Sequence, residues 1–189
     1  MKTFLVVGLG NPEGKYFETW HNLGFKTAER FAGDLTFTKK GNQLITDTHE
    51  KGNKVIILKP LTYMNLSGQA VVAVCRKYKI PAEQVIVFVD DIYLDIGTVR
   101  LKKSGGAGGH NGLKNIILHL GNDCFPRVRI GVSDRGDPTT DLADWVLGTF
   151  SGTEKKKLSE RFSDTNDILT LIVNNRLEDA MSRYNGDPK

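Results

Sequence analysis

The stretch QVIVFVD, residues 84–90, constrains the fold more than any other part of the sequence. Val85 to Val89 is an unbroken apolar and mostly β-branched run, with no polar side to give to solvent. Such a run reads as a central strand covered on both faces. A strand of that kind needs helices above and below it, and the neighbouring sequence supplies them. Other runs of strand length lie at Thr3–Val7, Leu35–Lys39, Gln43–His49, Lys54–Lys59, Val99–Lys103 and Arg127–Val132. Helical periodicity appears between them. Asn22–Ala32 puts Phe25, Ala28 and Ala32 on its inner side, and Ser67–Lys79 puts Ala70, Val71, Val74 and Tyr78 on one stripe, with Pro81 just past its end. Gly112–Leu120 is a third helix, and the chain from Thr153 to about Tyr184 reads as helical with a break near Asn174 and Asn175. Repeats, low-complexity tracts and linkers are absent from the sequence. The expectation is a single α/β domain over residues 1–189, with a twisted, mixed but mostly parallel central sheet flanked by helices.

The apolar runs stop well short of the ~20 residues of a membrane span. The opening MKTFLVVGLGNP has no apolar region of the ~7–15 residues that a signal peptide needs. The reading is therefore a cytoplasmic protein with no membrane attachment. Cys75 and Cys124 form neither a disulfide framework nor a zinc pattern, and Cys75, set among valines, reads as a small core residue. The net charge of +4 comes from 26 basic and 22 acidic residues, several of them in the clusters TKKGN, VRLKKSGG, FPRVRIG and GTEKKKLSER. Two of these flank SGGAGGHNGLKNI, which packs five glycines into the eight positions from Gly105 to Gly112. The clusters read either as solvated faces or as a stripe that tracks a phosphate backbone.

Polar motifs recur where strands end. GLGNP follows Thr3–Val7, LTYMNLSG follows Lys54–Lys59, and the DD pair closes Val85–Val89. In an open α/β sheet such positions gather along one edge, where ligands bind. Parallel strands would thus bring Asn11, His21, Asn65 and Asp90 together. Serine nucleophile chemistry lacks its G-x-S-x-G elbow, because GVSDRG has the wrong spacing. HEKGN lacks the second histidine of a metalloprotease motif, and the glycine loop has no Gly-Lys-Ser/Thr ending. VVGLGNPEG spaces its glycines G-x-G-x-x-x-G and delays the helix, which weakens a dinucleotide-binding reading without removing it. What is left is a histidine, a carboxylate and several asparagines. A carboxylate-held imidazole can act as general base on water, and amides can grip a carbonyl or a developing oxyanion. The competing structural reading is that His21 and Asn22 cap the helix that follows them and Asp90 ends a strand.

VVGLGNPEGKYFETWHNLGF, KPLTYMNLSGQAV, VFVDDIYLDIGTVRL, GGAGGHNGLKNI and FPRVRIGV…DWVLGTFS, in this order, resemble the bacterial-type peptidyl-tRNA hydrolase family over about residues 3–187. The resemblance implies cleavage of the ester between a peptide and tRNA without metal or cofactor, recycling tRNA from aborted translation. It implies His21 as the base that activates water and Asp90 as the group that orients it. Asn11, Tyr16, Met64, Asn65 and Asn111 would bind substrate, with Asn111 presented by a flexible glycine rim and also able to cap the helix after it. Arg100, Lys102, Lys103 and Arg129, with Lys114 beside them, would hold the acceptor stem and 3′ end of tRNA, and the protein would act as a monomer. The chain departs from the family pattern at Glu13, at Trp20 in place of a basic residue, at Tyr93 and Asp95 in DDIYLD, and along GVSDRGDP. Trp20 would forgo a phosphate contact or gain an aromatic platform. A non-hydrolysing RNA-binding relative and a nucleotide-binding oxidoreductase are the alternatives.

Overall fold

The computed structural model describes residues 1–133 and 141–185, without the side chains of 142–143 and 159–163. In chain order the elements are β1 (Thr3–Gly8), α1 (Leu23–Ala32), β2 (Thr38–Lys39), β3 (Gln43–Glu50), β4 (Asn53–Pro60), α2 (Ser67–Tyr78) and β5 (Val85–Asp95). There follow β6 (Val99–Lys102), α3 (Asn111–Leu120), β7 (Arg127–Ser133), α4 (Leu142–Val146), α5 (Gly152–Val173) and α6 (Leu177–Tyr184). The strands form one sheet in the order β2-β3-β4-β1-β5-β7-β6. Its middle, β4-β1-β5-β7, is parallel, and antiparallel strands complete both edges.

The alternation along β5 explains the two-layer cover. Ile86 and Phe88 point into one core with Leu23, Ala28, Leu158, Ile168 and Ala180, which come from α1, α5 and α6. Val85, Val87 and Val89 point into the other, with Val71, Val74, Leu113 and Ile116 of α2 and α3. All five β5 side chains are 0% exposed, so the strand is buried on both faces as its sequence implies. Each such side chain stabilises the fold by about 1.5–3 kcal/mol relative to exposure. Cys75 is a core residue, and burial pushes its thiol up to about 11.

Two differences from the sequence-based expectation matter. The strand expected at Leu35–Lys39 shrinks to Thr38–Lys39, which pairs only with Ile45 and Leu44 at the sheet edge. The turn at Gly33, with φ +57, ends α1 before the chain reaches that edge, and Leu35 stays 38% exposed. Conversely, β5 does not stop at Asp90 but runs on beside β7 to Asp95. Its other neighbour β1 has already ended, its last pair being Gly8 with Phe88. Asp90 therefore sits in a notch, inside a strand on one side and clear of the sheet on the other. The helix α4 was not legible, because five residues carry too little period.

Close backbone contact sets α1 against the end of β1. A Cβ on Gly24 would lie 2.4 Å from the Leu9 nitrogen, and one on Gly8 would lie 2.2 Å from the Gly24 oxygen. This approach brings the turn Trp20–Asn22, and with it His21, over the notch.

Candidate active site

The notch opens into a cleft of about 530 Å³. His21 Nδ1 lies 3.0 Å from each carboxylate oxygen of Asp90, which is 3% exposed. From the opposite side His110 Nε2 lies 3.1 Å from Asp90 Oδ1. The tautomers follow from the partners. The Leu113 N–H donates to His110 Nδ1 at 3.3 Å, so His110 carries its proton on Nε2 and donates it to Asp90. His21 likewise donates from Nδ1, and its Nε2 lone pair is the one left for the cleft. These three side chains are close enough to ligate a cation, their donor atoms lying within 4.8 Å of one another. Their nitrogens, however, already aim N–H groups at the shared carboxylate, and a metal would have to replace both protons. The donor set fits a hydrogen-bonded relay better than a metal cage.

Burial works against a charged imidazole at His21, but the Asp90 charge and hydrogen bond outweigh it, and the His21 pKa is raised above its ordinary 6.5. Burial likewise opposes the Asp90 carboxylate, yet the charges and hydrogen bonds of His21 and His110 hold its pKa well below the ordinary 3.8. An imidazole can accept a proton only when neutral, so activity that depends on His21 should fall as pH drops through a midpoint above 6.5, read from the acid limb of a kcat/KM profile. The stability effect has the opposite sign for the same group. The raised His21 pKa stabilises the fold fully below 6.5, and this is lost as pH rises through the folded value. The Asp90 contribution is present above 3.8 and is lost as pH falls through its lower folded value. Thermal melts across pH would follow both limbs of this single interaction.

All seven residues expected to act in catalysis or on the substrate line this one cleft: Asn11, Tyr16, His21, Met64, Asn65, Asp90 and Asn111. Asn11 is buried, its backbone N–H donating to Asn22 Oδ1 at 2.7 Å and its carbonyl accepting from Asn22 Nδ2 at 2.9 Å. Its own Oδ1 accepts from the Met64 N–H at 3.1 Å, which leaves the amide Nδ2 as the donor for a ligand. Asn22 therefore does not cap α1 with its side chain; it fixes the Asn11 loop. Asn65 and Asn111 are exposed on the rim. The cap of α3 is His110 rather than Asn111, which frees Asn111 from that task. Sequence reasoning assigned no role to His110, although a histidine closing a glycine run was visible in it.

The glycine run is not a loose rim. Arg127, 1% exposed, donates to the carbonyls of Gly105, Gly106, Asp123 and Phe125. Arg129 donates from Nη2 to the Ala107 carbonyl at 2.7 Å and from Nη1 to Asp91 Oδ2 at 2.8 Å. Glycine is required where those arginines press closest: Gly108 has φ +58, and a Cβ there would lie 2.6 Å from Arg129 Nη2. Arg129, expected among the tRNA-facing cations, lines the cleft but spends its guanidinium on Asp91 and the loop. It is 6% exposed and braces the loop from below, because it shares with Arg127 the face of β7 that the glycine run covers. Arg100, Lys102 and Lys103 are exposed along β6 and the start of the loop, and join no ion pair among the described residues.

The departures fall as follows. Glu13 bonds the Tyr63 hydroxyl and pairs with Lys15 at 3.0 Å, tying the loop after β1 to the segment after β4. Tyr93 is 56% exposed at the cleft. Trp20 is 2% exposed, so it neither stands where a phosphate could reach it nor forms a surface platform. Asp95 ends β5 and Ser133 ends β7, while residues 134–138 of the altered segment lie outside the described residues.

An open α/β sheet holding a carboxylate-backed imidazole and amide donors in one cleft is the equipment a hydrolase can use on a carbonyl substrate. The model of the peptidyl-tRNA hydrolase family matches residues 5–189, and the chain belongs to that family. It is 46% identical over 186 residues to a peptidyl-tRNA hydrolase of Clostridium acetobutylicum, covering 97% of this chain and 98% of the relative. A peptidyl-tRNA hydrolase of Thermoanaerobacter sp. is 44% identical, with 97% of this chain and all of the relative covered. The crystal structure of peptidyl-tRNA hydrolase from Acinetobacter baumannii superposes with a TM-score of 0.88 at 34% identity, covering 97% of this chain and 94% of that one. Among the described residues, no helix is long and apolar enough to cross a membrane.

Proposed function

We propose that this protein hydrolyses the ester joining a peptide to the 3′ ribose of tRNA, with His21 as general base. A water held by His21 Nε2 gives up a proton as its oxygen bonds to the ester carbonyl carbon. The Asn11 amide, with Asn65 or Asn111, donates to the oxygen on which charge develops. The carbon–oxygen bond to the ribose then breaks, and the proton on His21 passes to the departing 3′ oxygen. The products are a peptide acid and tRNA with a free 3′ hydroxyl. Asp90 holds the imidazole in the required tautomer throughout, and His110 holds Asp90. The observation that carries this reading is the His21–Asp90–His110 relay opening on amide donors in a single cleft.

The acceptor stem and 3′ end lie along Arg100, Lys102 and Lys103, beside the braced glycine loop, and the peptide lies toward Tyr16, Tyr63 and the wall of Val146 and Leu147. Every group in the scheme comes from one chain, so the scheme needs no second copy, and on this reading the enzyme works as a monomer in the cytoplasm, where its substrate arises. The non-hydrolysing alternative gains no support from Trp20 or Tyr93, since neither takes a group out of the relay. The oxidoreductase alternative fares no better: a single 3-10 turn, Gly14–Tyr16, starts at the glycines, and α1 opens only at Leu23, so no α-helix N-terminus meets them.

The test is release of deacylated tRNA from N-acetyl-aminoacyl-tRNA in the presence of a chelator, with His21→Ala as control. Chelator-resistant turnover is the expected result, and turnover no faster than the control would refute the reading. Changing Lys102 and Lys103 together to Ala should weaken substrate binding and reduce the slope of log K against log salt by about 1–2, roughly 0.7–0.9 for each phosphate no longer neutralised. An unaltered slope would put tRNA elsewhere.

A further inference from the structure

The chain has two tryptophans, and both meet beneath the cleft. Trp20 and Trp145 are stacked with ring centroids 6.4 Å apart and planes 12° from parallel. Phe150 meets Trp20 edge-on at 4.6 Å and 78°. Neighbours in sequence give this stack its interest. Trp20 is joined by one peptide bond to His21, and Trp145 by one peptide bond to Val146, which with Leu147 lines the cleft. Polar ties hold the same register. Trp145 Nε1 donates to the Val132 carbonyl at 2.8 Å, the Trp20 N–H donates to the Gly148 carbonyl at 3.2 Å, and Thr19 and Thr149 form an antiparallel bridge. Residues 141–150 contribute no strand to the sheet beyond that bridge. The stacked rings therefore fix where this wall stands relative to the base.

We propose that Trp20, Trp145 and Phe150 form a positioning clamp that sets the gap between the Val146–Leu147 wall and His21, and thereby the grip of the enzyme on the acyl group next to the ester. This rests on the hydrolase reading above. Removing a ring from the stack lets the wall drift outward, which loosens its hold on a large acyl side chain but leaves the relay intact. The effect belongs in KM and should depend on the substrate's side chain. A purely structural role would lower the melting temperature and move both substrates alike.

The experiment compares wild type, Trp145→Leu and Trp145→Phe on N-acetyl-phenylalanyl-tRNA and N-acetyl-glycyl-tRNA, below the melting temperature of each. For Trp145→Leu, KM on the phenylalanyl substrate should rise about 10-fold, the scale of weakened apolar packing in a pocket. KM on the glycyl substrate and kcat on both should stay within about 2-fold, and Trp145→Phe should recover most of the loss. Equal changes on the two substrates, or none, would overturn the clamp, while absence of wild-type turnover would instead overturn the hydrolase reading. Should Trp145→Leu not fold, indole emission decides. In the His21→Ala protein, N-acetyl-phenylalanyl-tRNA should alter the emission of the stacked pair, and an unchanged spectrum would overturn the proposal.

Discussion

Asp90→Asn is expected to lower turnover by about 10²–10⁴-fold, the range of a general base's contribution, with little change in tRNA affinity. The carboxylate accepts N–H donors from His21 and His110 at once. An asparagine that keeps its oxygen at the Oδ1 position shared by both rings puts its NH₂ group at the Oδ2 position, 3.0 Å from His21 Nδ1, where a donor faces a donor. His110 cannot easily give way, because the Leu113 N–H fixes its tautomer. His21 is the ring that yields, moving its proton to Nε2 and removing the lone pair from the cleft. The same change takes away the charge that offsets burial at His21, so the acid limb of the pH profile should move to lower pH. Single-turnover rates and the binding of deacylated tRNA separate the two quantities, and equal losses in both would contradict the assigned role. His21→Ala should fall in the same range of rate, but without the shifted acid limb.

Arg127→Met is expected to cost about 3–5 kcal/mol of stability, the size of the loss when a buried charge network is broken. Methionine fills much the same space, so the cost lies in the abandoned carbonyls of Gly105, Gly106, Asp123 and Phe125. Buried acceptors without donors cost about 1–3 kcal/mol each, and some of these regain water when the loop loosens. Burial and the neighbouring Arg129 pull the Arg127 pKa down to about 10, which still leaves it charged at neutral pH. The melting temperature should fall by roughly 10 °C for a chain of this size. Activity below the melt should also suffer, since the loop carries His110 and Asn111 into the cleft. A melting temperature within a degree or two of wild type would show that the brace is dispensable.

Much of this design is present in the sequence because it obeys simple periods. The run Val85–Val89 and the stripes of α1 and α2 place the sheet and its cover, and strand ends place Asn11 and Asn65. Direction was harder to read. FPRVRIG looks like a cationic cluster, yet Arg127 and Arg129 alternate with Val128 and Ile130 on a strand flanked by partners on both sides. That phase alone would turn both arginines to solvent; they are buried because the glycine run covers their face of the strand. His110 was harder still, because its role depends on the extension of β5 past the end of β1, a property of pairing rather than of local composition. Trp20 depended on a partner 125 residues away, counted from Trp20 to Trp145, and no local pattern announces such a pairing.

The place of β1 at the centre of the sheet has a consequence for how the molecule comes together. It is the earliest strand in the chain, but its neighbours are β4 and β5, and neither can flank it until their residues have left the ribosome. Pairings so distant in sequence are slow to form. Asp90 and His110 also lie beyond β1 and β4, so a nascent chain halted before them carries the base without its backing. The His21–Asp90–His110 contacts can therefore form only after residue 110 has emerged, well after the strand that opens the chain.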